Sequence, residues 1–201
     1  PTLRGWLTKH YHAVAGKALP AVVVGIIARV GRVQDQRVAI PTQLVRTDPE
    51  DPSEASLQRK VIRQAAKTLA QDEIPVLDAG FKIGQLQGAD LSRYVVRLAK
   101  NFTARQNELP PAKGRGRPAE YGGVIRPLSR TRKNRRLPAT PPDRTETWIE
   151  NNMIFRAEFW DHLVLPEAKV HKDNQTFTVA AIYDPRFQEP WLLACPLMLS
   201  G

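Results

Sequence analysis

One short segment constrains this chain more than any other: Ile74-Pro75-Val76-Leu77-Asp78-Ala79-Gly80-Phe81. Its apolar half reads as a buried strand, the strand ends in a carboxylate, and Gly80 breaks it. Sixteen residues after Leu77 a second apolar strand with a basic centre begins, Arg93-Tyr94-Val95-Val96-Arg97-Leu98-Ala99-Lys100. A carboxylate at the end of a sheet strand is well placed to hold a hard cation such as Mg²⁺. Arg97 is expected to lie near Asp78 on an adjacent strand.

The flanking segments supply the rest of a sheet. Ala21 to Val30 is a β-branched run, Gly31 to Gln36 breaks it, and Arg37 to Val45 resumes it, which predicts an antiparallel hairpin. Asp48-Pro49-Glu50-Asp51-Pro52 is a loop, after which Ser53 caps a helix with Glu54 in its first turn. Leu57, Val61, Ala65 and Leu69 recur at spacing four, an amphipathic helix of about four to five turns. A short helix or turn is expected from Phe81 to Gln87. Strand, strand, helix, strand, helix, strand is the order of an α/β domain with a mixed sheet and flanking helices.

Composition narrows the partners. Thirty Lys and Arg against 20 Asp and Glu give a formal charge of +10, which favours a polyanion, because each neutralised phosphate releases counterions. The apolar fraction of 42% is enough for a core. Cys195, the one cysteine, lies in an apolar run and reads as a core residue of a protein from a reducing compartment. No run approaches the roughly 18 apolar residues of a membrane span, and no signal peptide precedes the first element. The first residue is Pro1 and the last Gly201, and both ends read as cut from a longer protein.

The charge is concentrated. From Lys113 to Arg136 stand nine cations (Lys113, Arg115, Arg117, Arg126, Arg130, Arg132, Lys133, Arg135 and Arg136) against one acid, Glu120. Glycine and proline punctuate them, so the segment reads as a loop-rich basic insertion. A solvated linker is one reading of it. Phosphate contact is the sharper one, since Arg forks match phosphate oxygens. Arg-Gly-Arg-Pro at Arg115 also has the shape of a minor-groove hook. Beyond Pro142, Trp148 to Val164 is aromatic and β-rich, Thr176 to Tyr183 is a strand, Asp184-Pro185-Arg186 a turn, and Pro190 to Cys195 a final strand. The tryptophans read as core or sheet-face residues rather than as base-stacking platforms. These shifts divide the chain into 1–106, 107–142 and 143–201.

Asp78 lacks companions in the sequence. Asp35 falls in the hairpin turn, Asp48 and Asp51 in the proline loop, Glu158 and Asp161 in the aromatic stretch, Asp184 in a turn. On these grounds Asp78 is equally a helix N-cap. His10 and His12 share one face of a strand without a third ligand nearby, and read as surface or phosphate-contacting residues. Walker loops, Gly-x-Ser-x-Gly elbows, paired cysteines and His-Glu-x-x-His helices are all absent from the sequence.

Four segments together resemble a family. Leu77-Asp78-Ala79-Gly80-Phe81 resembles the LDxGF strand that carries the second acid of insertion-sequence DDE transposases. Tyr94 to Leu98 resembles their FVVRL strand, Gly114 to Gly122 their GRGRPxxYG segment, and Pro190 to Ala194 their PxLLxT strand. The matches follow the family's order and cover most of the chain. The resemblance implies an α/β, RNase H-like mixed sheet with flanking helices and a β-rich, basic insertion, spread over a partial core 1–106, a basic insertion 107–142, and a β-rich insertion with a return strand 143–201.

It also implies a DNA endonuclease and strand-transfer enzyme of a bacterial or archaeal cytoplasm, using Mg²⁺ or Mn²⁺ on transposon ends and target DNA as a synaptic homodimer. Asp78 becomes the second metal-binding acid. The first acid is expected before Pro1 and the third after Gly201, so this stretch alone is expected to bind DNA without cutting it. The nucleic-acid contacts expected are Arg97, Lys100, Lys113, Arg115, Arg117, Arg130, Arg132, Lys133, Arg135 and Arg136. A non-catalytic basic nucleic-acid-binding module is the alternative.

Overall fold

The computed structural model describes residues 7–12, 14–111, 114 and 117–196. They form two compact units, Pro1–Gln71 and Asp72–Gly201. The fold is mixed α/β, with a mixed sheet and few helices.

In the first unit, β1 (Thr8–His12) pairs antiparallel with β2 (Lys17–Ala21), and β3 (Val24–Val33) with β4 (Gln36–Arg46). Helix α1 (Glu54–Thr68) follows. The expected Ser53 cap is present: its Oγ accepts from Ser56 N at 3.2 Å. The apolar stripe buries Leu57, Val61 and Ile62. Gly25 is what lets β3 approach this stripe, since a Cβ there would stand 2.4 Å from Val61 Cγ2. The β3–β4 turn tightens to Gln34 and Asp35, so Gly31 lies inside the strand rather than in the break. A bulge leaves Thr42 unpaired between Ile27 and Ala28, and the Thr42 hydroxyl donates to Ile27 O at 3.1 Å.

The second unit holds the mixed sheet. It is built from β5 (Val76–Leu77), β6 (Val95–Arg97), β7 (Ala104–Gln106), β8 (Val124–Ile125), β11 (Arg144–Glu150), β12 (Met153–Val164), β13 (Phe177–Tyr183) and β14 (Trp191–Cys195), in the order β5-β6-β14-β13-β12-β7-β8 with β11 also on β12. Among the described residues only β5 and β6 run parallel, and the other pairs of this sheet are antiparallel. Helix α2 (Ile83–Gln87) joins those two strands, and β9 (Arg130–Arg132) and β10 (Arg135–Leu137) form a ribbon of their own.

The membership of this sheet differs from the sequence expectation. The β3–β4 hairpin pairs with itself among the described residues, and the mixed sheet instead recruits the strands after residue 142. Hydrophobic coverage is the reason. Phe177 to Ala181 of β13 are buried without a break, which requires both faces of a central strand to be covered. β5 is correspondingly marginal. The strand expected to be buried is two residues at the sheet edge, with Val76 79% exposed.

Partners in register share a face. Val96, Ala194, Val179 and Trp160 make one buried row, the core of the unit. Arg97, Leu193, Ala180 and Phe159 make the row on the other face, which opens onto an apolar groove of about 350 Å³. Cys195 is buried, as expected. No helix among the described residues is long and apolar enough to cross a membrane.

Tyr94 carries a buried hydroxyl without a hydrogen-bond partner, on a residue 1% exposed. An unpaired buried hydroxyl costs roughly 1–3 kcal/mol. Tyr94→Phe is therefore expected to raise stability by about 1 kcal/mol, read as a higher urea midpoint at unchanged slope. A lower midpoint would contradict this account.

Candidate nucleic-acid interface

Asp78 is placed by the sheet edge and shaped by a turn. Leu77 is paired with Val96 in the parallel β5–β6 ladder, so Asp78 follows at the position beside Arg97. The chain then reverses: Phe81 N donates to Asp78 O at 3.2 Å, and Gly80 N donates to Asp78 Oδ1 at 2.6 Å. The carboxylate thus closes an Asx turn, the short-range role that Asp side chains fill in reversals. It is not the helix cap, since the N-cap of α2 is Lys82.

Five of the other acids are occupied locally. Lys60 Nζ donates to Asp48 Oδ1 at 2.8 Å, and Ser53 Oγ to Asp51 Oδ1 at 2.7 Å. Arg144 Nε donates to Asp161 Oδ2 at 3.0 Å, and Thr178 Oγ1 to Asp161 Oδ1 at 2.7 Å. Glu158 accepts from the Tyr183 hydroxyl at 2.8 Å, and Asp184 from Arg186. His12 Nδ1 accepts from Ala15 N at 3.1 Å, closing the β1–β2 turn. No group of three His, Cys, Asp or Glu gathers to hold a metal among the described residues. Mg²⁺ needs several oxygen ligands, and Asp78 alone does not fit the two-metal arrangement implied by the resemblance.

The cations predicted as contacts fall into separate places. Arg97 is exposed on the open sheet face, its guanidinium carbon 5.4 Å from the centre of the Trp191 ring. Lys100 is ion-paired to Glu189. Arg117 is ion-paired to Glu120, which also takes Lys169 Nζ at 2.6 Å. The hydrogen bond from Lys169, then that from Arg117, holds the Glu120 carboxyl below its ordinary pKa. The one acid of the basic segment is thereby committed away from the remaining arginines. Lys113 and Arg115 lie outside the described residues.

The remaining cations converge. Arg130-Thr131-Arg132 and Arg135-Arg136-Leu137 pair antiparallel around a two-residue turn. Lys133 and Asn134 both adopt positive φ, 47° and 58°, the turn geometry that matches strand twist. Where a loop-rich insertion was expected, a hairpin therefore stands. Pairing sorts its side chains by face. Arg132 with Arg135 and Arg130 with Leu137 share one face, and Thr131 with Arg136 the other.

The first face closes a concavity of about 400 Å³ lined by Arg126, Arg130, Arg132, Lys133 and Arg135, with Thr103, Val124 and Leu137 and without an acid. Sequence reasoning did not single out Arg126 as a contact. Its signal is tertiary: Arg126 N donates to Thr140 Oγ1 at 2.9 Å and Thr140 N to Arg126 O at 2.7 Å, tying it to the loop after β10.

Arg130 is the most constrained of the set. One terminal nitrogen donates to Asn101 O, while its Nε is buried without a partner. A buried donor lacking an acceptor costs roughly 1–3 kcal/mol, more for a charged group.

No protein-family model, no curated protein and no solved structure matches this chain.

Proposed function

We propose that the protein engages DNA in the manner of a DDE-type insertion-sequence transposase with an RNase H-like core. The observation that carries the DNA reading is the concavity on which Arg126, Arg130, Arg132, Lys133 and Arg135 converge with no acid in its lining. Like charges gathered without counterions repel, and a polyanion relieves that repulsion. The transposase reading is supported by the four family-like segments and by the parallel pairing that sets Asp78 next to Arg97. In it Asp78 is one metal-binding acid, and the DNA is transposon end and target. A non-catalytic basic DNA-binding module is the second reading, and it rests on the same acid-free concavity.

Titration of a labelled duplex against NaCl tests the shared claim. With about four to five phosphates neutralised, log K should fall against log salt with a slope of roughly −4. Affinity indifferent to salt would sink both readings. With Mg²⁺ added, the chain is expected to leave DNA uncut. Cleavage that disappears in Asp78→Asn would favour the first reading and overturn the second.

A further inference from the structure

The β9–β10 ribbon combines concentrated positive charge with a concavity whose lining holds no acid. We infer that the inward face of β9–β10 is a clamp for one backbone phosphate of a DNA duplex, and that the outward face takes no part; this rests on the DNA reading above. Three features carry it. The pleat sends Arg130, Arg132 and Arg135 to the concave side and Arg136 to the opposite one. Arg130, which lines the concavity, is held by Asn101 O, so its guanidinium is anchored before any ligand arrives. A phosphate supplies several acceptor oxygens, which match guanidinium donors in bidentate pairs. Thr103 contributes a hydroxyl to the same lining.

Chain geometry makes the assignment testable at single-residue resolution. Arg132 and Arg136 are four residues apart on one exposed ribbon and differ in the face they occupy. A diffuse electrostatic patch would weigh them alike, whereas a clamp would not. A phosphodiester in a duplex and free inorganic phosphate present similar oxygens, so both are probed.

The experiment uses the full chain and a labelled DNA duplex at fixed ionic strength, with circular dichroism confirming the fold of each variant. Arg132→Ala is expected to weaken duplex binding roughly 10-fold and to reduce the salt slope by about 1. Arg136→Ala is expected to stay within about twofold of the parent. Arg130→Lys, which keeps the charge and removes the planar guanidinium fork, is expected to weaken binding at least about fivefold. Equal losses at Arg136 and at Arg132 would overturn the clamp while leaving salt-dependent DNA binding intact. If the parent shows no salt-dependent binding, the underlying reading fails instead. Inorganic phosphate titrated calorimetrically is expected to bind and to be displaced by duplex; phosphate that stays bound as duplex associates would reassign the site to a small anion.

Discussion

Trp160→Ala is expected to destabilise the Asp72–Gly201 unit by about 4 kcal/mol, the range for removing a large buried aromatic. Trp160 is 1% exposed and stands in the core row with Val179 and Ala194. Its loss leaves a cavity that the flanking strands cannot close, because β12 is paired along both edges. The indole also acts at a distance from the core. Its Nε1 donates to Thr140 O at 3.1 Å and Pro141 O at 2.9 Å, and Thr140 in turn holds the backbone of Arg126. DNA binding should therefore weaken together with stability.

Trp160→Phe separates the two roles. It keeps most of the volume and removes the N–H, so a loss of about 1–2 kcal/mol is expected, with affinity reduced by a similar factor as in the alanine variant. Urea unfolding and duplex titration on the same samples check this. A stability loss below about 1.5 kcal/mol for Trp160→Ala would show that the row is not tightly packed.

The second large effect is expected at Gly122, where Gly122→Ala should cost about 3 kcal/mol or more. A Cβ at this position would lie 1.9 Å from Gln106 O and 2.7 Å from Glu108 O. Backbone carbonyls cannot swing aside as a side-chain tip can, so β7 or the loop after it must move. Gly122 O also accepts from an Arg105 terminal nitrogen at 2.9 Å, and Gly123 O from Gln106 N at 3.0 Å, bonds that the displacement would strain. Gly84→Ala is the control within the same unit. Its Cβ would meet only Leu165 Cδ1, at 3.3 Å, and alanine favours the helix. Three of the four tryptophans, Trp148, Trp160 and Trp191, belong to this unit, so most of the tryptophan fluorescence during unfolding follows it. A near-neutral Gly122→Ala would mean that the close approach of the two segments is not required.

Much of the local structure was legible in the residues. Ser53 and the spacing-four stripe mark α1, and the apolar runs at Thr176 and Pro190 mark β13 and β14. These signals are local: a cap bonds three residues on, and periodicity reports one buried face. The basic hairpin was missed because charge and glycine overwhelmed a faint signal, a two-residue Lys-Asn turn between runs of arginine. Asn tolerates positive φ, and that alone pointed to a turn there.

Asp78 marks the limit of that local reading. The residues alone establish that a carboxylate follows an apolar run at Asp78 and that the chain carries +10. Which strands share a sheet is a matter of packing in three dimensions, because β6 to β14 pairing joins residues about a hundred positions apart, and what selects it is burial of two faces rather than any local pattern. The tertiary structure also set Arg126 among the ribbon arginines, turned Arg136 away from them, and left Asp78 with Gly80 as its neighbour instead of a second acid. Charge is written residue by residue, but a site is a convergence, and convergence is fixed by the pleat and the pairing that packing selects.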